Sequence, residues 1–147
     1  MSRFLTVFPL QQFWASIEDD FRLPVPCFVR VLRVLRDVKD TLCEIAGERE
    51  KVAATELLDI DFIRHQLENG VFSLEDCKRL FCSVVNIIRR LQAPKRDAEV
   101  NEMWKRMSDD MIVNGGDQPR AFQVALRFMH DRANILRIDA ANARYVL

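Results

Sequence analysis

The sequence predicts an all-α fold, an irregular bundle of about five to six helices around a central helix over residues 74–92. In several long segments apolar residues recur every three or four positions, which is the spacing of one helix face. Glycine and proline are scarce, at 4 and 5 of 147 residues, which disfavours a turn-rich sheet protein. The central helix carries a continuous apolar stripe, formed by Leu74, Cys77, Phe81, Val84, Ile88 and Leu91.

A helical hairpin is predicted over Leu58–Asp97. Its first helix should end at Asn69-Gly70, because both residue types accept the left-handed conformation that closes a helix end. Ser73 and Asp76 have the S-x-x-D spacing of a capping box, which predicts that the second helix starts directly after Ser73.

Residues 1–23 are rich in aromatic side chains, and we interpret them as an N-terminal docking segment. Pro9 suits the first turn of a helix that runs to about Asp20. Its apolar face either docks on the chain's own bundle or binds a partner helix or groove, where aromatic anchors are common. The partner-binding candidates here are Phe4, Phe8, Phe13, Trp14 and Phe21.

Pro24 and Pro26 precede a helix predicted over Cys27–Ala46, and residues 48–57 favour a further helix as an exposed connector. Three arginines recur every third residue on the polar side of the Cys27–Ala46 helix. They form either an ordinary solvated face or a binding strip for an acidic protein tail, a filament surface or a phosphate group. These candidates are Arg30, Arg33 and Arg36.

A local basic concentration lies at the end of the central helix and just beyond it. Its members are Arg89, Arg90, Lys95 and Arg96. Cations at this position complement the helix dipole and can bond the last carbonyls; the alternative is an anion or partner site. Arg89 and Arg90 are therefore further partner-binding candidates.

Two more helices are predicted after the hairpin. Asp97 is placed to cap a helix over about Ala98–Met111, and Asp117 with Pro119 marks the start of the last helix. The inner face of the first carries several methionines beside a tryptophan, which either pack as plain core or line an adaptable groove. These residues are Met103, Trp104, Met107 and Met111.

Composition and motifs exclude several function classes. Basic and acidic residues cancel at 22 each, so no overall basic field argues for nucleic acid. No apolar run approaches the roughly 20 residues that span a bilayer. The four cysteines show neither C-x-x-C nor zinc-type spacing, and nucleophile motifs and phosphate loops are lacking. We expect a cytoplasmic protein that is not an enzyme, with no cofactor, metal or small-molecule substrate.

Three blocks of sequence carry a family likeness. They are LDIDFIRHQLENGVFSLEDCKRL, RRLQAPKRDAEV and ILRIDAANARYVL. In this order they resemble the T-complex protein 11 family. The likeness covers about Leu57 to Leu147, whereas residues 1–56 match only loosely. We therefore assign residues 24–147 to a helical domain of this family, and expect the domain to be truncated at its C-terminal end because the family domain is longer.

The resemblance implies an all-helical, non-catalytic protein linked to cyclic-AMP-dependent protein kinase signalling, sperm motility and capacitation, and cytoskeletal or flagellar association. Our first hypothesis is an interaction or scaffold protein within a larger cytoskeletal or ciliary/flagellar (axonemal) assembly of other proteins. The alternative is a soluble regulatory adaptor in cyclic-AMP/protein kinase A signalling.

The polar residues within these blocks suggest a structural network. Charges inside a helical core must be paired, because an unpaired buried charge is strongly destabilising. We predict that Asp139 bonds Lys95 or Arg96 and so ties the last helix to the central hairpin. The network candidates are Lys95, Arg96, Asp97, Asp139, Asn142 and Arg144.

Overall fold

The computed structural model describes residues 10–92, 94–113 and 117–146, and over these residues the protein is helical without a strand. The helices are α1 (Leu10–Arg22), α2 (Val29–Ile45), α3 (Glu48–Leu57), α4 (Ile60–Glu68), α5 (Leu74–Leu91), α6 (Asp97–Val113) and α7 (Gln118–Val146). A short 3-10 helix, Pro94–Arg96, precedes α6. The predicted all-α irregular bundle is confirmed, and none of the described helices is long and apolar enough to cross a membrane.

Local sequence signals set the ends of the hairpin helices. The Ser73 hydroxyl accepts a hydrogen bond from the Asp76 amide at 3.1 Å, and the Asp76 carboxylate accepts one from the Ser73 amide at 3.0 Å. This is the predicted capping box, and it starts α5. After α4, Gly70 adopts a φ of +68°, a left-handed conformation that glycine reaches without steric cost.

The last helix, α7, is shared by much of the bundle, because it packs against α1, α2, α5 and α6. Ala125 and Met129 on α7 are buried, as are Phe81 and Val84 on α5. The core therefore lies between α5 and α7 and is flanked by α1 and α2. The connector helix α3 packs on α2 and α5 and buries Ala54 completely.

The aromatic face of α1 belongs to this core. Phe13 and Trp14 are each only 2% exposed, and Trp14 also meets the edge of the His130 ring on α7. Phe21 is half-buried and stacks on Phe122 of α7 with ring centroids 5.1 Å apart. Of the two alternatives for this face, packing on the chain's own bundle is the one observed for Phe13 and Trp14, because the chain's own helices cover them.

Three further expectations fall partly or wholly outside the described residues. Phe4 and Phe8 belong to residues 1–9, and the side chain of Met111, an expected inner-face residue of α6, is not described. The α7 backbone reaches Val146, but the side chain of Arg144 is not described.

Candidate functional site

Four charged residues join the start of α6 to α7, and we call them the interhelix network. Arg132 on α7 is 2% exposed, and its Nη1 donates to a Glu99 carboxylate oxygen at 2.9 Å. Arg96 Nη1 donates to the other Glu99 oxygen at 3.1 Å. Arg96 also holds both carboxylate oxygens of Asp139, through Nε at 3.1 Å and Nη2 at 3.0 Å.

The network shifts the proton equilibria of its members in opposite directions. Hydrogen bonds from Arg132 and then Arg96 hold the pKa of Glu99 below its usual value. The carboxylates of Asp139 and then Glu99 raise the pKa of Arg96. Both shifts favour the charged forms, as expected when carboxylates accept bonds from guanidinium groups.

The predicted bond between Asp139 and Arg96 is present, whereas other network candidates lie elsewhere. Lys95 and Asn142 are exposed, and Asp97 accepts a bond from the Gln92 side chain at 2.8 Å. The bidentate Arg96–Asp139 pair thus ties α7 to the junction that follows the central hairpin.

Sequence reasoning missed Glu99 and Arg132. One signal could have found the arginine: it lies beside Ala133 and between Met129 and Leu136 in the apolar stripe of α7. A charged residue inside such a stripe must be paired when the helix is buried, which predicts a carboxylate on a neighbouring helix.

Polar contacts also fasten α7 to α2. His130 Nε2 lies 2.8 Å from an Asp37 carboxylate oxygen, and Arg137 Nη2 donates to the Thr41 hydroxyl at 2.6 Å. All of these side chains are at least half-buried. Polar groups therefore set the register of the seam between these two long helices.

The predicted arginine strip on α2 divides into two parts. Arg30 Nη1 donates to both carboxylate oxygens of Asp20, at 2.8 and 3.0 Å, and so pins α2 to the end of α1. Arg33 and Arg36, further along α2, are exposed.

The basic concentration after α5 does not form one surface. Arg89 is half-buried and donates to Asn101 of α6 at 2.6 Å, whereas Arg90 is exposed and lines a shallow cleft beside α3. Arg96 belongs to the interhelix network. Arg89 therefore serves the contact between α5 and α6, and Arg90 remains a partner-binding candidate.

A groove of about 490 Å³ opens between α1, α6 and α7, and we call it the α7 groove. Apolar groups and charged groups both line it. The apolar lining is Trp14, Ala15, Met103, Met107, Val124 and Phe128. The polar lining is Glu18, Arg106, Arg120, Gln123, Arg127 and Asp131.

Two methionines give the α7 groove an adaptable wall. Met103 is 36% exposed and Met107 is buried, and thioether side chains adjust to differently shaped partners. Partial burial raises the pKa of Asp131, against the opposing charge of Arg127, whose Nε lies 3.9 Å away. The groove therefore combines an apolar floor with charged side chains that could form ion pairs with a bound partner.

The described residues also bear on metal binding, and one buried thiol shows a shifted pKa. No group of three histidine, cysteine or acidic side chains there is placed to hold a metal ion. Burial raises the pKa of the Cys77 thiol to about 12, so this side chain stays protonated and unreactive at neutral pH.

A model of the family described as T-complex protein 11 matches residues 10–144. The chain belongs to this family. T-complex protein 11 homolog of Homo sapiens is 26% identical over 127 residues, which cover 83% of this chain and 23% of the relative. T-complex protein 11-like X-linked protein 1 of Homo sapiens is 28% identical over 94 residues, or 62% of this chain and 18% of the relative.

The chain thus spans less than a quarter of the length of these curated relatives. No solved structure matches it. The family match includes α1, so the aromatic face of that helix lies within the matched region.

Proposed function

We propose that this chain is a non-catalytic helical interaction module of the T-complex protein 11 type that works within a larger cytoskeletal or ciliary/flagellar assembly. The α7 groove carries the proposal, because it is an apolar-floored opening between three helices of the bundle. The cytoskeletal or ciliary setting is an expectation that comes with the family.

The shape of the α7 groove suits one face of a partner helix. Val124 and Phe128 lie at i and i+4 on α7, so they line the floor along the helix axis, while α1 and α6 form the walls. A volume of about 490 Å³ accommodates a few large side chains. In helix-in-groove recognition the partner helix inserts side chains at i, i+3 or i+4, and i+7 into an apolar opening of this kind.

Ala15 offers a way to block the α7 groove without disturbing the core. It is exposed, and it lines the groove from α1. We expect Ala15→Arg to fill the opening and lower the recovery of bound proteins about tenfold or more, the loss typical of a blocked central contact. The measurement is quantitative mass spectrometry after affinity purification from soluble cytoplasm and from the insoluble cytoskeletal fraction.

Ala141→Arg is the matched control, since Ala141 is also an exposed helical alanine but lies outside the groove lining. Proteins of the cytoskeletal fraction should be recovered with this control and lost with Ala15→Arg. Recovery that is equal with both variants would overturn the proposal. If Ala15→Arg lowers only the recovery of kinase-pathway proteins from the soluble fraction, the result would favour the regulatory adaptor over the component of an assembly.

A further inference from the structure

Two clefts run along α5, one beside α3 and the other beside α4. Their volumes are about 430 Å³ and about 260 Å³. Leu57 and Ser83 line both clefts, so the two form one continuous surface depression, which we call the α5 furrow. Helices α3 and α4 lie on one side of it. On the other side, α5 lines it from Asp76 to Arg90, a length of about 21 Å at 1.5 Å per residue.

Apolar side chains are exposed along the α3 and α4 side of the α5 furrow. Phe62, which lines the furrow from α4, is 58% exposed, and Leu57 at the end of α3 is only half-buried. Val52 is 53% exposed and lies one turn before the lining residue Glu56, on the same face of α3. Single exposed apolar side chains are ordinary, but several beside one furrow are typical of an interaction site.

Among the described residues, four charged side chains line the α5 furrow, and two of them pair with each other. Arg79 Nη2 lies 2.7 Å from an Asp76 carboxylate oxygen. The other two, Glu56 and Arg90, are exposed and form no hydrogen bond or ion pair with any described residue. Neither has an opposite charge three or four positions away on its own helix, where helical ion pairs form. The furrow therefore presents one unpaired carboxylate and one unpaired guanidinium group.

These two unpaired charges make the surface complementary to itself. Glu56 lies on α3 and Arg90 lies on α5, so they flank the furrow from opposite sides. When two copies face each other across a two-fold axis along the furrow, α3 of each copy lies over α5 of the other. Each Glu56 then meets the Arg90 of the second copy, which gives two equivalent ion pairs. A partner of one charge sign would pair with only one of the two groups and repel the other.

We propose that the α5 furrow is the interface of a two-fold symmetric dimer of this chain. In this dimer Phe62 of each copy covers the α5 side of the other furrow, where Leu80 is part of the lining. Basic and acidic residues cancel at 22 each, so no net charge opposes the approach of two copies. Because the surface is small, we expect weak association, so that the dilute chain is a monomer.

The dimer goes beyond the proposed function and does not depend on it. The α5 furrow shares no lining residue with the α7 groove, so a second copy leaves that groove open to its own partner.

Sedimentation equilibrium of the full chain over a range of concentrations tests this inference. We expect the wild type to form a dimer and nothing larger, because a two-fold interface closes on itself. Glu56→Arg and Arg90→Glu should each weaken dimerisation about tenfold or more, since each places like charges together at both ion-pair positions. An equimolar mixture of the two variants should associate as strongly as the wild type, because every contact in the mixed dimer again joins opposite charges.

Asp109→Arg and Lys105→Glu are the matched controls. They make the same changes in net charge at exposed positions of α6 outside the furrow, and they should leave dimerisation unchanged. Circular dichroism checks that every variant stays helical. A wild type that remains monomeric at all concentrations, a mixture that associates no better than its components, or equal weakening by the controls would overturn the proposal. Ala15→Arg should dimerise like the wild type, so a failure of the α7 groove and a failure of the dimer are distinguishable.

Discussion

The seam between α6 and α7 has a closed half and an open half. In the closed half, the first turns of α6 meet α7 through the interhelix network, and Trp104 of α6 also stacks on Phe81 of the neighbouring helix α5, with ring centroids 4.8 Å apart. In the open half, later residues of α6 such as Met107 face the α7 groove. The same two helices therefore provide both a fixed joint and a binding surface.

Two carboxylates illustrate the difference. Glu99 in the closed half accepts bonds from two guanidinium groups, so its charged form is stabilised and its pKa is lowered. Asp131 in the open half is partly desolvated and lies 3.9 Å from Arg127, so its pKa is raised. Bonded charges thus fix the joint, while a loosely paired charge lines the opening.

The largest expected effect comes from removing the Phe81 ring of α5, which packs against both helices of this seam. Phe81 is fully buried and contacts both Trp104 and Phe128, so Phe81→Ala should lower the free energy of unfolding by about 3–5 kcal/mol. Urea unfolding followed by circular dichroism measures this. Phe62→Ala, at a side chain that is 58% exposed, should change stability by less than about 1 kcal/mol, and similar losses at both sites would contradict the assigned core.

The Glu99–Arg132 ion pair joins a partly exposed carboxylate to a buried arginine, so removing one end should cost more than removing the other. Glu99→Ala leaves the Arg132 guanidinium buried without a carboxylate, which is costly. Arg132→Met removes the buried charge itself, fills similar space, and leaves Glu99 paired with Arg96, so it should cost about 1 kcal/mol or less. Thermal unfolding of both variants should show the larger decrease in Tm for Glu99→Ala, and the reverse order would disprove that Arg132 depends on this carboxylate.

Acid should weaken the closed half. The pKa of Glu99 is below its usual 4.5 in the folded state, so the Glu99 carboxylate takes up a proton more readily in the unfolded chain. The stabilisation is complete above pH 4.5 and is lost as the pH falls through the lower folded pKa. The difference in Tm between the wild type and Glu99→Gln should therefore be largest near neutrality and shrink in acid; a constant difference would rule out this linkage.

The smallest effect is expected at Asp131 in the open half, where a substitution should raise the stability of the fold instead of lowering it. A raised pKa means that the ionised Asp131 carboxylate is disfavoured by folding at neutral pH, and protonation relieves this cost as the pH falls. Asp131→Asn should stabilise the fold by less than about 0.5 kcal/mol at pH 7, because the side chain is 51% exposed. Chemical unfolding at pH 7 and pH 4 checks the sign, with the exposed Asp61→Asn as control.

Sequence reasoning succeeded where the cause is local. The capping box of Ser73 and Asp76 and the end of α4 at Gly70 depend on a few consecutive residues, so both could be predicted. The Arg96–Asp139 bond is an exception, because it joins distant residues and was still predicted. The prediction came from two polar segments whose charges must be paired inside a helical core.

Contacts between distant helices could not be predicted in the same way. The pairing of His130 with Asp37 joins residues 93 positions apart, and no spacing in the sequence indicates it. The aromatic face of α1 poses a related difficulty, since periodicity identifies an apolar face but not the surface that covers it. Only the packing of α1 on α7 decides that Phe13 and Trp14 are core.

The position of α7 in the chain has a consequence for synthesis on the ribosome. The apolar faces of α1, α2 and α5 are covered by α7. The end of α7 at Val146 comes about a hundred residues after the end of α2 at Ile45. At roughly 5–20 residues per second, these faces stay uncovered for several seconds after they leave the exit tunnel. The nascent chain is therefore a natural client for chaperones until residues 118–146 have been translated.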